Sequence, residues 1–373
     1  MNSHWFAFRR SLACAALFSM FALGAGPLAA QAPGDSSLEE SSEPTASEPA
    51  ATEPAEKPTA ARRGSAKKVP LDPALQLTDP RTYQLKVVHR VEAPDGTVNN
   101  VVVVGPVPIE WPEQQLRLLN QKTSPGVRLT DHVMRGQGAI LRMQVTSIPK
   151  GEAAFVERLY EITRYRTQFT MPAEELTFPK TVPHDLRDQL TGPAPGLEMT
   201  HPKIIELAET LRKQKPGADP WDTTHNFWNW IRDNVKFENG DFRGALFAVE
   251  HRCGDCEEMS SLFVSMCRLS GITARSVWVE GHNYPEFYLA DKKGKGHWIP
   301  AQVVGPPWFG EMSEYRPIFQ KGDRFFDPFQ KQYVRYVPAT VRADGSASKP
   351  KLTVEHQIIA DSDINGPSYN STK

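Results

Sequence analysis

The stretch GDCEEMSSLFVSMCRLSGITAR, Gly254 to Arg275, constrains the fold more than any other part of the chain. Met259, Leu262, Phe263, Met266 and Leu269 recur at helical spacing and mark one apolar face. Asp255 suits the N-cap of that helix, and Gly271 sits just past its end, where a left-handed residue is favoured. Cys256 therefore falls in the first helical turn. Beyond the helix, ARSVWVEG, PEFYLA and HWIPAQVV read as strands, and the polar DKKGKG between the last two reads as a hairpin turn. Helix, strand, His282, strand, hairpin, strand is a compact order. A sheet packed on the helix would bring His282 over Cys256.

Upstream, the pattern changes character twice. Residues 1–30 read as an export signal: Arg9 and Arg10, an apolar run from about Ser11 to Gly24, then the small residues Ala29 and Ala30. The run is short for a membrane span, so a membrane contact is expected only if the signal stays uncleaved. Cys14 reads as core of that signal. Residues 31–69 repeat Glu-Pro and contain almost no apolar side chains. They form an expected solvated linker, acidic first and basic at Arg62, Arg63, Lys67 and Lys68. Residues 70–170 read as a β-sandwich-like domain. In TYQLKVVHRVEA, Tyr83, Leu85 and Val87 share one face, and Pro94-Asp95-Gly96 follows as a turn. Residues 171–199, rich in Pro and Gly, read as a crossing linker.

From 200 to about 340 the pattern is helical, then β. Thr200 suits a cap and Pro202 the first turn of a helix carrying Ile205, Ala208 and Leu211, which Pro216-Gly217 stops. Asp219-Pro220 repeats the start signal before Phe227, Trp228, Ile231 and Val235. Residues 341–373 are a mostly polar tail in which LTVEHQIIA suits an edge strand. The expected class is α+β. The formal net charge of −1 offers no electrostatic basis for a nucleic-acid partner. Oligomeric state is not legible.

Three of the four cysteines lie between Arg252 and Arg268, with Cys253 and Cys256 in CxxC spacing. A zinc site needs about four ligands, commonly from two paired motifs, and only one pair is present, with His251 and His282 as outside candidates. A dithiol redox site usually follows a βαβ pattern, whereas here helices precede the motif. Cys267 is eleven residues beyond Cys256, ~16 Å along a helix, too far to bridge. The remaining reading is a single nucleophile. The helix N-terminus offers Cys256 partial positive charge and free amide donors, and the same donors suit an oxyanion. Asp255, Glu257 and Glu258 oppose a thiolate, so an imidazole is needed, and His282 is the candidate. His225, His251 and His297 are weaker ones. Trp298, Trp308 and Phe309 suit either an acceptor groove or aromatic core.

These residues resemble the transglutaminase-like superfamily, a papain-related cysteine fold. The resemblance rests on Gly254-Asp255-Cys256, on Gly271-Ile272-Thr273-Ala274-Arg275, and on HNYPEFYL with His282, Tyr284 and Glu286. It covers roughly residues 200–305 and implies a Cys-bearing helix packed on an antiparallel sheet, after an N-terminal β-sandwich found in many bacterial relatives. It also implies Cys256 as nucleophile, His282 as base and acid, and a third residue orienting the imidazole. Where the family has Asp, this sequence has Gln302. An amide serves that role in papain-like enzymes, so Cys256, His282 and Gln302 form the expected site. Asp327 is the second choice for orienter. The implied function is an exported thiol-dependent acyl-transfer enzyme acting on amide bonds of a protein or peptide substrate, with the cell envelope as one setting. It would be a protease, deamidase or transglutaminase. The alternative is a catalytically silent envelope-binding module. No motif points to a cofactor or metal, and no calcium loop is evident.

Overall fold

Alternating burial builds the first layer. In β1 (Leu75–Glu92), Tyr83, Leu85, Val87, His89 and Val91 are buried, while Gln84 and Arg90 are exposed. β6 (Ala153–Phe169) alternates likewise and pairs with β1 antiparallel along almost its whole length, from Leu75↔Phe169 to Glu92↔Ala153. Between them in sequence run β2 (Val98–Val107), β3 (Gln114–Thr123), β4 (Arg128–Met134) and β5 (Gly138–Ile148). Val91 and Val156 of the β1–β6 sheet share one apolar core with Val101, Val103, Leu141 and Met143 of the β2–β5 sheet. The two sheets form a sandwich, as the alternation predicts.

The structure is a computed structural model that describes residues 71–182, 187–215, 217–327, 331–345 and 348–359. The expected export signal with Cys14, the expected acidic linker, Pro216 and the tail from residue 360 lie outside the described residues.

β7 (Leu176–Thr177) leads into the helices. α1 (Arg187–Leu190) is short. α2 (Pro202–Gln214), α3 (Pro220–Asn234), α4 (Ala245–His251) and α5 (Cys256–Leu269) follow, with β8 (Lys236–Phe237) and β9 (Cys253–Gly254) paired in parallel between them. The cap of α2 is His201 rather than Thr200: its Nδ1 accepts from the Lys203 amide at 3.3 Å. The buried positions of α2 are Ile204, Ala208 and Leu211, so the first apolar contact falls on Ile204 rather than Ile205. Asp219 caps α3 as expected, accepting from the Asp222 amide at 2.7 Å.

α5 is buried on every side, because helices cover it from one direction and a sheet from the other. Leu262, Phe263, Val264, Met266 and Cys267 share a core with Ile204, Phe227 and Ile231 of the other helices. The sheet contributes Phe287, Leu289 and Ile299 to the same core. Each such side chain stabilises the fold by about 1.5–3 kcal/mol relative to exposure. At the far end of α5 the buried Arg268 meets both carboxylate oxygens of Asp323 at 2.7 and 2.8 Å. Gly271 adopts φ +76, the left-handed turn that ends the helix.

The covering strands are β10 (Thr273–Val279), β11 (His282–Asp291) and β12 (Gly296–Pro300), antiparallel in that order, with Thr177 of β7 on the outer part of β11. Five short or late strands complete the sheets: β13 (Glu311–Met312), β14 (Ile318–Lys321), β16 (Gln332–Val334) beside β15 (Phe325–Asp327), and β17 (Thr340–Ala343). β14 pairs with β10 on one edge and touches β5 on the other, giving the order β12-β11-β10-β14-β5-β2-β17. The sandwich and the helical core therefore share a sheet, although the sequence reads as two separate regions. β18 (Lys351–Ile359), the LTVEHQII segment, lies on the outer edge of β1. Among the described residues no helix is long and apolar enough to cross a membrane.

Candidate active site

The site begins with a cap. Asp255 Oδ1 accepts from the amides of Glu257 (2.7 Å) and Glu258 (3.3 Å), and Glu258 Oε2 accepts from the Asp255 amide at 2.7 Å. This reciprocal capping box fixes Cys256 as the first helical residue. A Cβ on Gly254 would lie 2.8 Å from the Glu258 Cβ, so the close approach needs glycine. The other Glu258 oxygen accepts from the Arg243 amide at 2.7 Å. Burial, and then the neighbouring Glu258, push Asp255 up to about 7.

Cys256 is half-buried. The backbone amide of Asn283, at the start of β11, faces the start of α5 and favours the charged sulfur. Burial and the Asp255 charge push the thiol up to about 12, against the pull of Arg316. His282 opens β11 opposite Val279, across the Glu280-Gly281 turn. Burial, reinforced by Arg316, pushes its imidazole down to about 4; Glu314 and a bond to Gln302 oppose this. At neutral pH the two groups rest as thiol and neutral imidazole.

His282 Nε2 lies 3.3 Å from Gln302 Oε1. With a carbonyl oxygen as acceptor, Nε2 carries the proton and Nδ1 remains as the base. Gln302 is held firmly. Its amide donates to Trp308 O (2.7 Å), and its own carbonyl accepts from Trp228 Nε1 (2.7 Å) and Arg232 Nη1 (3.2 Å). It is only 4% exposed. Gln302 thus meets His282, and the residue after His282 faces Cys256.

The other candidates lie elsewhere. Asp327 is buried on β15, opposite Gln332 of β16. His297 bonds Asp72 at 2.7 Å, His251 stacks on Phe247, and His225 stacks on Trp228. Burial and the nearby Glu238 raise the Cys253 thiol, and Cys253, Cys256 and Cys267 are all free thiols. Among the described residues no three His, Cys, Asp or Glu side chains gather as a metal set. Phe309 packs among Trp221, His225, Trp228 and Phe287. Trp308 packs beside the core formed by Trp111, Val277, Tyr284 and Ile318. Trp298 carries Arg275 over its ring at 3.8 Å and lines a cavity whose walls include none of Cys256, His282 and Gln302.

Sequence reasoning missed two arginines. Arg316 forms a two-pronged pair with Glu314 (2.9 and 2.6 Å) and donates to the Glu280 carbonyl, in the turn just before His282. That pairing overcomes burial and holds the Glu314 carboxyl down at about 2. Arg335, just past β16, interacts electrostatically with Asp255 and Cys256. Neither residue has a local pattern; only the return of β14 and β16 to the helix start brings them in.

Residues 206–303 match the family model of the Transglutaminase-like superfamily, a span that contains Cys256, His282 and Gln302. Among solved structures, the chain is similar to "a putative cysteine protease" from Cytophaga hutchinsonii. The identity is 12% and the TM-score 0.52, over 77% of this chain and 93% of that one. At that identity the likeness is one of fold, and it extends through the β layers. A "putative protease" from Parabacteroides distasonis aligns at 14% identity over 57% of this chain and 43% of that one; its TM-score of 0.25 adds no argument. No curated protein matches the chain.

Proposed function

We propose that the transglutaminase-like domain at residues 206–303 is the catalytic part of an exported thiol enzyme that acts on amide bonds of a protein or peptide, with the cell envelope as its setting. The observation that carries this reading is that Gln302 bonds His282 while the next residue, Asn283, faces the Cys256 sulfur. The Asn283 amide favours the Cys256 thiolate, and Gln302 orients the neighbouring His282 through Nε2.

Surroundings that resist one isolated charge resist a thiolate–imidazolium pair less, since each is the other's counter-ion. Proton transfer from Cys256 to His282 Nδ1 therefore accompanies attack of sulfur on the substrate carbonyl carbon. The carbonyl π electrons move to oxygen, where the Cys256 amide and the positive end of α5 stabilise the developing charge, the Glu257 and Glu258 amides being held by Asp255. As the C–N bond breaks, the imidazolium gives its proton to the departing amine, leaving a thioester on Cys256. Water or a second amine then adds to the thioester, His282 takes that nucleophile's proton, and the sulfur leaves with a proton restored. Water gives hydrolysis or deamidation; an amine gives transamidation.

The test is the rate of Cys256 alkylation from pH 4 to 10 in the wild type and in His282→Ala, followed by incubation with a peptide library and mass analysis. A thiol reactive well below pH 8, slowed by His282→Ala, with cleaved or deamidated peptides, is the expected result. A titration near or above pH 8.5 in both proteins, with no altered peptide, refutes the enzyme and favours a silent binding module.

A further inference from the structure

Arg335 sits beside the nucleophile on an aromatic seat. Its guanidinium carbon lies 3.4 Å from the centroid of Phe242 and 5.4 Å from that of Trp278. Phe242 is itself fixed: its ring lies so close to Gly196 that a Cβ there would be 2.3 Å away. Arg335 ion-pairs with Glu257, the residue that follows Cys256, and a quarter of its side chain remains exposed. Both prongs of Arg316 meet Glu314, and its remaining nitrogen meets the Glu280 carbonyl. Glu257, the acid on Arg335, keeps 28% of its side chain exposed, although the Oε2 that meets Arg335 is buried, and sits on the first turn of α5. A planar guanidinium stacked on an aromatic ring and ion-paired with a carboxylate is a preorganised carboxylate receptor.

Resting on the acyl-transfer reading above, we propose that Arg335 is the specificity-determining residue of the Cys256 site. It binds a substrate carboxylate close to the scissile amide, and Glu257 occupies the guanidinium until the substrate displaces it. The substrate class is an acidic peptide. Burial lowers Arg335 only to about 10, so it remains a cation at neutral pH.

The test uses two small electrophiles that differ in charge, iodoacetate and iodoacetamide, on the full chain. Any change in thiolate fraction affects both reagents alike, so the ratio of their rates on Cys256 isolates attraction for a carboxylate. Arg335→Met should lower the iodoacetate-to-iodoacetamide ratio on the order of tenfold. Glu257→Gln should raise it, because the built-in competitor is gone. Arg335→Lys keeps the charge without the planar fork and should fall between. It also separates recognition from misfolding, which would change both rates together. Equal ratios in wild type, Arg335→Met and Glu257→Gln overturn this inference and leave the acyl-transfer reading intact. A Cys256 thiol inert to both reagents overturns that reading and this one with it.

Discussion

Replacing Gln302 tests the least expected member of the site. The Oε1–Nε2 distance of 3.3 Å lies at the long end for a hydrogen bond, so the bond itself contributes about 0.5–1.5 kcal/mol. In Gln302→Ala the Nε2 proton is left unpaired in a largely dry pocket, which raises the cost to about 1–3 kcal/mol. With ~1.4 kcal/mol per factor of ten, alkylation of Cys256 by iodoacetamide should slow by roughly tenfold to a hundredfold. Gln302→Glu should act in the opposite sense. A carboxylate against an imidazole raises the imidazole by roughly 1–3 pH units. The His282 transition then moves up from about 4. His282 competes better for the Cys256 proton, so the thiolate share and the plateau rate rise, while the acid limb shifts to higher pH. The assay is the rate–pH profile from pH 3 to 10, read by mass spectrometry of the Cys256 peptide. An unchanged profile in both variants would refute the claim that Gln302 orients and tunes His282.

Other expectations follow from separate contacts. Cys253→Ala should leave the Cys256 alkylation rate within about twofold, whereas a dithiol redox site would lose function as fully as with Cys256→Ala. Arg268→Met should lower stability by about 3–5 kcal/mol in urea titration, because Asp323 would keep a buried charge without its partner. Asp255, raised to about 7 from an ordinary 3.8, binds its proton more tightly folded than unfolded, so its contribution is full below pH ~4 and lost as pH rises towards 7. Asp255→Asn should therefore flatten the decline in urea midpoint between pH 4 and 7; an undiminished decline would assign it to other groups.

Much of the helical core was legible because its signals are local. Capping by Asp255, the apolar run of α5, the turn at Gly271 and the β-branched strands after it each depend on residues a few positions apart. Those signals also set the order Cys256, strand, His282. The same locality explains the small errors in α2. A proline at its first position is compatible with a cap at either neighbouring residue, and only the His201 side-chain bond decides between Thr200 and His201.

The sequence by itself therefore determined the elements, the nucleophile candidate and its imidazole. Tertiary structure decided which polar groups surround them. Gln302, not Asp327, reaches His282, because its backbone is held by Trp228 and Arg232 on α3. Arg316 and Arg335 approach Cys256 from segments some sixty and eighty residues away, through strand pairings whose partners no periodicity specifies. β14 likewise joins the sandwich to the core because its two edges carry backbone donors and acceptors that must be paired. Periodicity says which face of a strand is buried. It does not say which edge meets which, and the charges around Cys256 arrive along those edges.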